Sequence, residues 1–239
     1  SSDLDADAAT GLMVKEKPSA SSTAVHYYRA GSAGSRLSAS DLPEGWVEEA
    51  ALLHVTGITP LLSESARDAL HAALDQAKAA GVTVSFDINY RSALGSAATA
   101  GPVLREIAER ADIVFGGAEE FGILYPDASA DEAIALLQSA GCAAVVVKLG
   151  PKGAAVHVGD RVVASPGFVV DVVDTVGAGD AFVTGYLSAL LDGADLDAVL
   201  RRANACGAMA CQVPGDWEAA PTLREIERFL VGDADPVRR

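Results

Sequence analysis

The stretch best suited to chemistry is a glycine-rich turn that runs into an apolar helix. Residues 174–182 read Asp-Thr-Val-Gly-Ala-Gly-Asp-Ala-Phe. Such a turn lets the N–H groups of Gly177, Ala178 and Gly179 converge on one point, where the dipole of the following helix adds positive potential. That geometry suits phosphate, and Asp180 could then deprotonate a nucleophile that attacks a phosphoryl group. A tight loop with an N-capping acid is the simpler interpretation of so short a motif.

A second group of candidates is a tyrosine and an arginine near the amino-terminal end. Tyr27 and Arg29 are two residues apart on a predicted strand, so we expect them to share a face. An arginine can bind a carboxylate through two parallel N–H bonds, and the neighbouring phenol suits a hydroxylated ligand. The alternative is an exposed edge strand with ordinary polar side chains.

Polar residues also end another predicted strand. Residues 87–91 read Asp-Ile-Asn-Tyr-Arg, and the period of a strand places Asp87, Asn89 and Arg91 on one face. We expect a polar cluster at the ligand edge of a sheet, although local hydrogen bonding would also explain it.

A lysine followed by spaced glycines marks the end of a third strand. Residues 146–153 read Val-Val-Lys-Leu-Gly-Pro-Lys-Gly, in which Gly150 and Gly153 allow a tight turn and Lys148 could meet a nucleotide phosphate. Farther along, Asn204 lies within a predicted helix, where asparagine is a poor helix former, and this favours a ligand or tertiary role.

The elements that must position these residues alternate between strand and helix. We predict an α/β fold with a mostly parallel sheet, helices on both faces, and ligands beyond the carboxyl ends of the strands. Residues 11–17 and 24–29 are predicted strands joined by the loop 18–22. After residue 46 we predict strands near 51–56, 82–88, 112–115 and 143–148, and a hairpin across 154–164. The predicted helices are 63–80, 102–110, 129–139, 181–191, 195–212 and 222–230.

The amino-acid composition limits the classes of molecule that the chain is expected to bind. The chain has 239 residues, of which half are hydrophobic, and a formal net charge of −15. Such acidity argues against nucleic acid or an acidic membrane surface as a partner. We also expect no membrane-spanning segment, because no apolar run is long enough. Three cysteines without Cys-x-x-Cys spacing predict free thiols and a cytoplasmic protein.

Together these segments resemble the ribokinase-like carbohydrate kinases (the PfkB family), and among them the 2-keto-3-deoxygluconate kinases. Segment 174–182 is similar to the family's Asp-Thr-x-Gly-Ala-Gly-Asp-x-Phe, 87–91 to its Asp-x-Asn-x-Arg, and 146–153 to its Val-x-Lys-x-Gly-x-x-Gly. Two departures are Met13, where close members have tyrosine, and Gly117, where the family has asparagine.

The resemblance implies roles for particular residues. It implies that Asp180 is the catalytic base, with Gly177, Ala178 and Gly179 forming the anion hole. It implies that Glu120 acts on magnesium through water. The residues that it implies for the substrate are Tyr27, Arg29, Asn89, Arg91 and Asp216. Those that it implies for the nucleotide are Lys148, Gly150, Gly153, Thr175, Gly177, Gly179 and Asn204.

For the whole protein, the resemblance implies a three-layer α/β/α fold with a small β lid in residues 1–45 and the kinase core in 46–239. Family members carry a further amino-terminal segment, so we expect that part of the fold to be absent from this sequence. The implied activity is ATP-dependent phosphorylation of 2-keto-3-deoxygluconate with Mg²⁺, with a monovalent cation as a further candidate, in a homodimer or larger oligomer formed through the lid. The alternatives are a kinase of a neutral sugar such as fructose or ribose, and a non-catalytic nucleotide- or sugar-binding remnant.

Overall fold

A computed structural model of the chain describes residues 5–19, 22–215, 217–218 and 220–232. They form a three-layer α/β fold with a mostly parallel sheet of six strands, which confirms the predicted fold class. The chain divides into two compact units, Ser1–Arg110 and Ala111–Arg239.

The first unit contains a separate ribbon of two strands and part of the α/β core. Its elements are β1 (Leu12–Ser19), β2 (Ser22–Tyr28), β3 (Leu52–Thr56), α1 (Thr59–Leu62), α2 (Glu64–Ala80), β4 (Thr83–Asp87) and α3 (Ala97–Ala108). The strands β1 and β2 pair antiparallel, with Leu12 opposite Tyr28, whereas β3 and β4 pair in parallel.

The second unit contains the remaining strands and most of the helices. Its elements are β5 (Ile113–Gly117), α4 (Ala118–Leu124), α5 (Ala130–Ala140), β6 (Ala144–Lys148), β7 (Ala154–Val158), β8 (Arg161–Ser165), α6 (Ala178–Leu191), α7 (Leu196–Ala210) and α8 (Leu223–Leu230). The strands β5 and β6 are parallel, and β7 and β8 follow as an antiparallel hairpin. The order of the six strands in the sheet is β3-β4-β5-β6-β7-β8.

Local sequence signals set several element boundaries as predicted. Ser63 caps α2 by accepting the Ala66 N–H at 3.0 Å, and Gly81 ends the helix in the left-handed region at φ 70°. At α5, which was predicted from residue 129, Ser129 and Glu132 form a capping box. The side chains that the helical period places on one face of α2 are buried, namely Ala66, Leu70, Ala73, Leu74 and Ala77.

Several elements differ from the predictions. The ribbon loop is shorter than 18–22 because a register shift between Glu16 and Ser19 lets the ladder resume at Ser19 and Ser22. Helix α3 begins before Pro102, at a cap formed by Ser96. Helix α4 was not predicted.

Helix α6, which carries the glycine-rich turn at its start, is held firmly on both sides. Tyr186 of α6 packs edge-on against Phe115 of β5, with ring centroids 5.0 Å apart. At Gly185 a Cβ would lie 2.8 Å from Cys206 Sγ and 2.9 Å from the Ala203 Cα, so glycine permits the close approach of α7. None of the helices in the described part of the chain has the length and apolarity needed to cross a bilayer.

Candidate active site

The turn before α6 is tied to the rest of the second unit through its backbone. The N–H groups of Val173 and Asp174 donate to the Cys211 carbonyl at the end of α7, at 2.8 and 3.2 Å. The buried Asp174 carboxylate accepts the Val176 N–H at 3.1 Å. Gly177 then caps the helix at φ 80°, in the left-handed region that favours glycine. The turn is therefore ordered by the protein's own contacts.

The start of α6 offers positive potential to an anion. The first N–H groups of a helix lack partners within the helix and concentrate the positive end of its dipole. In this turn the Ala178 N–H points back to the Thr175 carbonyl at 3.3 Å and is therefore partly used. The anion-hole role of Ala178 stays a prediction. Asp180 is the acid of the first turn, as predicted.

Lys148 brings a formal positive charge to the same place. It is the last residue of β6, and its Nζ lies 4.0 Å from the position that a Cβ on Gly179 would occupy. A lysine ammonium beside a helix N-terminus forms a site for a phosphate group. The strand end and the helix start are thus brought together, in agreement with the sequence-based expectation.

A cavity of about 460 Å³ opens beside Lys148 and the start of α6. We call it the nucleotide cavity, and its size lies within the range of small-molecule sites. Six of the seven residues predicted to bind nucleotide line it, namely Lys148, Gly150, Gly153, Thr175, Gly179 and Asn204. The seventh, Gly177, is the adjoining helix cap.

The sequence did not indicate the remaining wall of the nucleotide cavity. Gly167, Phe168, Val169, Val170 and Val172 line it, in a segment without regular structure. The Pro-Gly pair at 166–167 is the sequence signal that could have indicated irregular chain here. Cys211 also lines the cavity, and burial and then the Asp174 charge raise the pKa of its thiol.

Asp180 faces a different cavity from the one that Gly179 lines. This second cavity, of about 480 Å³, is lined by Asp180, Ala181 and Thr184 of α6 and by parts of α7 and α8. The helical period explains the division, because Ala178, Gly179 and Phe182 lie on the other face of α6. The carboxylate is therefore beside the phosphate-binding turn but outside the nucleotide cavity. Trp217 also lines the second cavity, while its neighbour Asp216 lies outside the described residues.

The Glu120 side chain caps the start of helix α4. Its Oε2 accepts the Gly117 N–H at 2.8 Å, and Gly117 is paired with Lys148 in the ladder of β5 and β6. In the described part of the chain, no three His, Cys, Asp or Glu side chains come together as a metal site. A magnesium ion that keeps its waters and binds phosphate oxygens needs one or two carboxylates, and Asp180 in the first turn of α6 could supply one. The metal role of Glu120 stays a prediction.

The predicted substrate residues of the first unit form two groups. In one, the Arg29 guanidinium stacks on the Tyr27 ring, with Cζ 4.3 Å from the ring centroid, so the two side chains do lie together. Arg29 Nη2 is buried, and no described residue accepts a hydrogen bond from it. A buried donor without an acceptor is costly unless a ligand supplies one.

The other group departs from the predicted geometry. Strand β4 ends at Asp87, and Asn89 has φ 39°, a left-handed value that asparagine tolerates. The alternation of a strand therefore stops, and the prediction that Asp87, Asn89 and Arg91 share a strand face was wrong. Asp87 and Asn89 are buried, whereas Arg91 is exposed.

Asn204 is buried and lines the nucleotide cavity, but its amide nitrogen is already used. Its Nδ2 donates to the carbonyl oxygens of Ser165 and Pro166, at 3.1 and 3.2 Å. Asparagine is a poor helix former, and at this position it makes a tertiary contact with the chain at the end of β8.

Comparison with known proteins agrees with this geometry. Residues 2–223 match the sequence profile described as pfkB family carbohydrate kinase. The chain is 37% identical over 223 residues to a 2-dehydro-3-deoxygluconokinase of Bacillus subtilis, a match that covers 92% of this chain and 69% of the relative.

Comparison with solved structures also finds carbohydrate kinases. A 2-dehydro-3-deoxygluconokinase from Thermotoga maritima superposes with a TM-score of 0.83 at 27% identity, covering 93% of this chain and 72% of that one. A fructokinase from Vibrio cholerae, solved with fructose, ADP and calcium, has a TM-score of 0.76 at 30% identity, covering 87% and 68%.

Proposed function

Because the chain belongs to the pfkB family of carbohydrate kinases, we propose that it transfers the γ-phosphoryl group of ATP to the terminal hydroxyl of 2-keto-3-deoxygluconate. The product is 2-keto-3-deoxy-6-phosphogluconate. The observation that carries the choice of an acid substrate is the buried Nη2 of Arg29, which finds no acceptor among the described residues. A neutral sugar has no carboxylate to offer it.

The second unit supports the phosphoryl-transfer part of the proposal. Lys148 and the first turn of α6 bind the transferring phosphate, and the N–H groups of Gly177 and Gly179 hold its developing charge. Asp180 takes the proton of the acceptor hydroxyl, from its position beside the turn but outside the nucleotide cavity. Glu120 would hold Mg²⁺ through water, and the bound ion would supply positive charge for the phosphates. A monovalent cation is a further candidate ligand.

The first unit supports the substrate part. Arg29, stacked on Tyr27, binds the carboxylate, and Arg91 adds a second, exposed guanidinium. Asn89 and Asp216 bind hydroxyl groups. Stacking on the phenol ring fixes the plane of the Arg29 guanidinium, so less side-chain entropy is lost when it binds a planar carboxylate.

A substrate panel tests the proposal. Phosphorylation of 2-keto-3-deoxygluconate, fructose and ribose is compared by kcat/KM with ATP and Mg²⁺ in each reaction. The acid should be the best substrate, because a charge-assisted hydrogen bond contributes about 1.5–3 kcal/mol. Higher kcat/KM for fructose or ribose would contradict the acid assignment and favour the neutral-sugar alternative, for which the similarity to a fructokinase is the supporting observation.

The panel also addresses the non-catalytic alternative. A protein that binds ADP but phosphorylates none of the three sugars would be the nucleotide-binding remnant. Turnover that depends on Asp180 would exclude that alternative.

A further inference from the structure

Residues 165–168 form a segment that is held in place by elements distant in sequence, and we call this segment the wall because its Gly167 and Phe168 line the nucleotide cavity. We infer that Asn204 is a positioning residue that fixes this wall for the nucleotide and does not read the base. The inference rests on the proposed function, since it concerns the phosphoryl donor of the same site.

The hydrogen bonds of Asn204 define its orientation. Both N–H bonds of its amide are directed at carbonyl oxygens, those of Ser165 and Pro166. The opposite assignment of the amide would place its oxygen against two other oxygens, so the network fixes which atom is nitrogen. No amide donor is then left for the base, so a direct contact would have to be made by Oδ1 with the exocyclic amino group of adenine, which inosine lacks.

The wall also meets the turn after β6 at backbone contact. Gly153 has φ 100°, and a Cβ there would overlap the Ser165 carbonyl oxygen. A Cβ on Gly167 would overlap the Pro151 carbonyl oxygen in the same way. The two segments therefore cross at a distance that glycine alone allows, and both contribute to the nucleotide cavity.

Helix α8 supports the last residue of the wall. Phe168 packs against Phe229, with ring centroids 5.0 Å apart at an interplanar angle of 65°, and joins the buried cluster around Cys206 and Ile226. Phe168 also lines the nucleotide cavity. A wall with one aromatic ring fixed in this way is suited to a flat purine.

The chain beyond the wall has little packing of its own. Val169 is fully exposed, and Val172 is 62% exposed. The position of the wall therefore depends on Gly153 and Gly167 on one side and on Asn204 and Phe229 on the other. Without the Asn204 amide, two inward-facing carbonyl groups lose their donor, and the wall must move to regain hydrogen bonds.

The test measures nucleotide binding without sugar. Dissociation constants for ADP and inosine diphosphate, which differ at the base, are determined by calorimetry for the protein and for Asn204→Leu. We expect both nucleotides to bind about 10-fold more weakly, by the same factor, because the wall and not a base contact is lost.

Gln138→Leu is the matched control. Gln138 Nε2 donates to the Gly159 carbonyl at 3.0 Å, which is the same type of contact at the far end of the hairpin β7–β8. This variant should keep both dissociation constants within about twofold of the wild type. Amide hydrogen exchange of residues 167–170 should accelerate in Asn204→Leu and not in Gln138→Leu.

Several outcomes would overturn the inference. They are a loss confined to ADP, unchanged affinity for both nucleotides, and weaker binding with unchanged exchange in the wall. If Asn204→Leu does not fold, Asn204→Ser replaces it. This variant also lacks the amide but has a smaller side chain, and the same results are expected for it. A protein that binds no ADP contradicts this inference; one that binds ADP but does not phosphorylate 2-keto-3-deoxygluconate contradicts only the proposed substrate.

Discussion

The nucleotide cavity of the second unit is built largely from backbone, whereas the proposed sugar residues of the first unit act through long side chains. In the second unit, glycines, a helix start and two carbonyl groups held by Asn204 define the shape. In the first unit, Arg29 and Tyr27 project from a two-stranded ribbon on which Leu12 is 59% exposed and Tyr28 is 65% exposed. An isolated ribbon of this kind is marginally stable in water.

This difference has a functional meaning. A site made from backbone is hard to change by single substitutions and suits a cosubstrate that is bound mainly through its phosphate groups. A site made from side chains changes with one substitution and suits a substrate that varies. The comparison therefore predicts that substitutions in the two units affect different kinetic constants.

The largest effect is expected at Asp180. Asp180→Asn removes the base but keeps the size of the side chain, so turnover should fall roughly 100-fold or more while the dissociation constant for ADP stays unchanged. Steady-state kinetics and calorimetry measure the two quantities. The control is Asp197→Asn, which changes an exposed acid in the first turn of α7. Near-normal turnover in Asp180→Asn would contradict the proposed role of Asp180 as the base.

The next effect concerns the first unit. Arg29→Gln leaves the carboxylate without its charged donor, so the KM for 2-keto-3-deoxygluconate should rise about 10- to 100-fold while the KM for ATP is unchanged. Arg36→Gln is the control, because Arg36 pairs with Asp5 at 3.2 Å and is half exposed. If Arg29→Gln raised both Michaelis constants equally, the assignment of the sugar to the first unit and of the nucleotide to the second would be contradicted.

A third prediction compares two glycines on either side of strand β7, one at a tight backbone crossing and one in open space. Gly153 and Gly159 both have positive φ, at 100° and 55°, but a Cβ meets backbone at Gly153 and open space at Gly159. Gly153→Ala should lower the free energy of unfolding by about 2 kcal/mol more than Gly159→Ala does, because the added Cβ forces β7 away from the wall and because φ 100° with ψ −136° strains alanine more. Denaturant unfolding measures both, and equal losses would show that the crossing is not tight.

The smallest effect is alkaline destabilisation, which should act on the second unit. Burial raises the pKa of Cys142 from 9.0 to about 11. The unfolded chain loses this proton first, so the stability that the neutral thiol contributes is complete below pH 9 and is lost as the pH rises towards 11. Cys142→Ala should reduce the loss between these values by on the order of 1 kcal/mol.

Thermal unfolding at pH 8 to 11 checks this prediction. The three cysteines all lie in the second unit, at positions 142, 206 and 211, and burial also raises the pKa of Cys206 to about 11. Hydrogen exchange should therefore accelerate in the second unit before the first. The same pH profile in Cys142→Ala as in the wild type would contradict the role of this thiol.

The amino-acid sequence by itself determined the features that depend on near neighbours. The cap at Ser63, the left-handed end at Gly81, the capping box at Ser129 and the helix start after Gly177 are each set within four or five residues. Such contacts form wherever the chain has the right local pattern, so the residue types at 174–182 are enough to assign this motif to the start of a helix.

Tertiary structure decided the features that depend on distant partners. The Asn204 amide reaches carbonyl groups 38 and 39 residues away, and no local pattern indicates its target. Asn89 leaves the strand conformation at φ 39°, which a period-two pattern does not reveal. The run 168–173 has the composition of a strand but lines a cavity, because strand formation needs a partner ladder and Phe168 packs instead against Phe229. Propensity acts through neighbours in sequence, whereas packing and hydrogen-bond satisfaction act through neighbours in space, and where the two disagreed the spatial contacts prevailed.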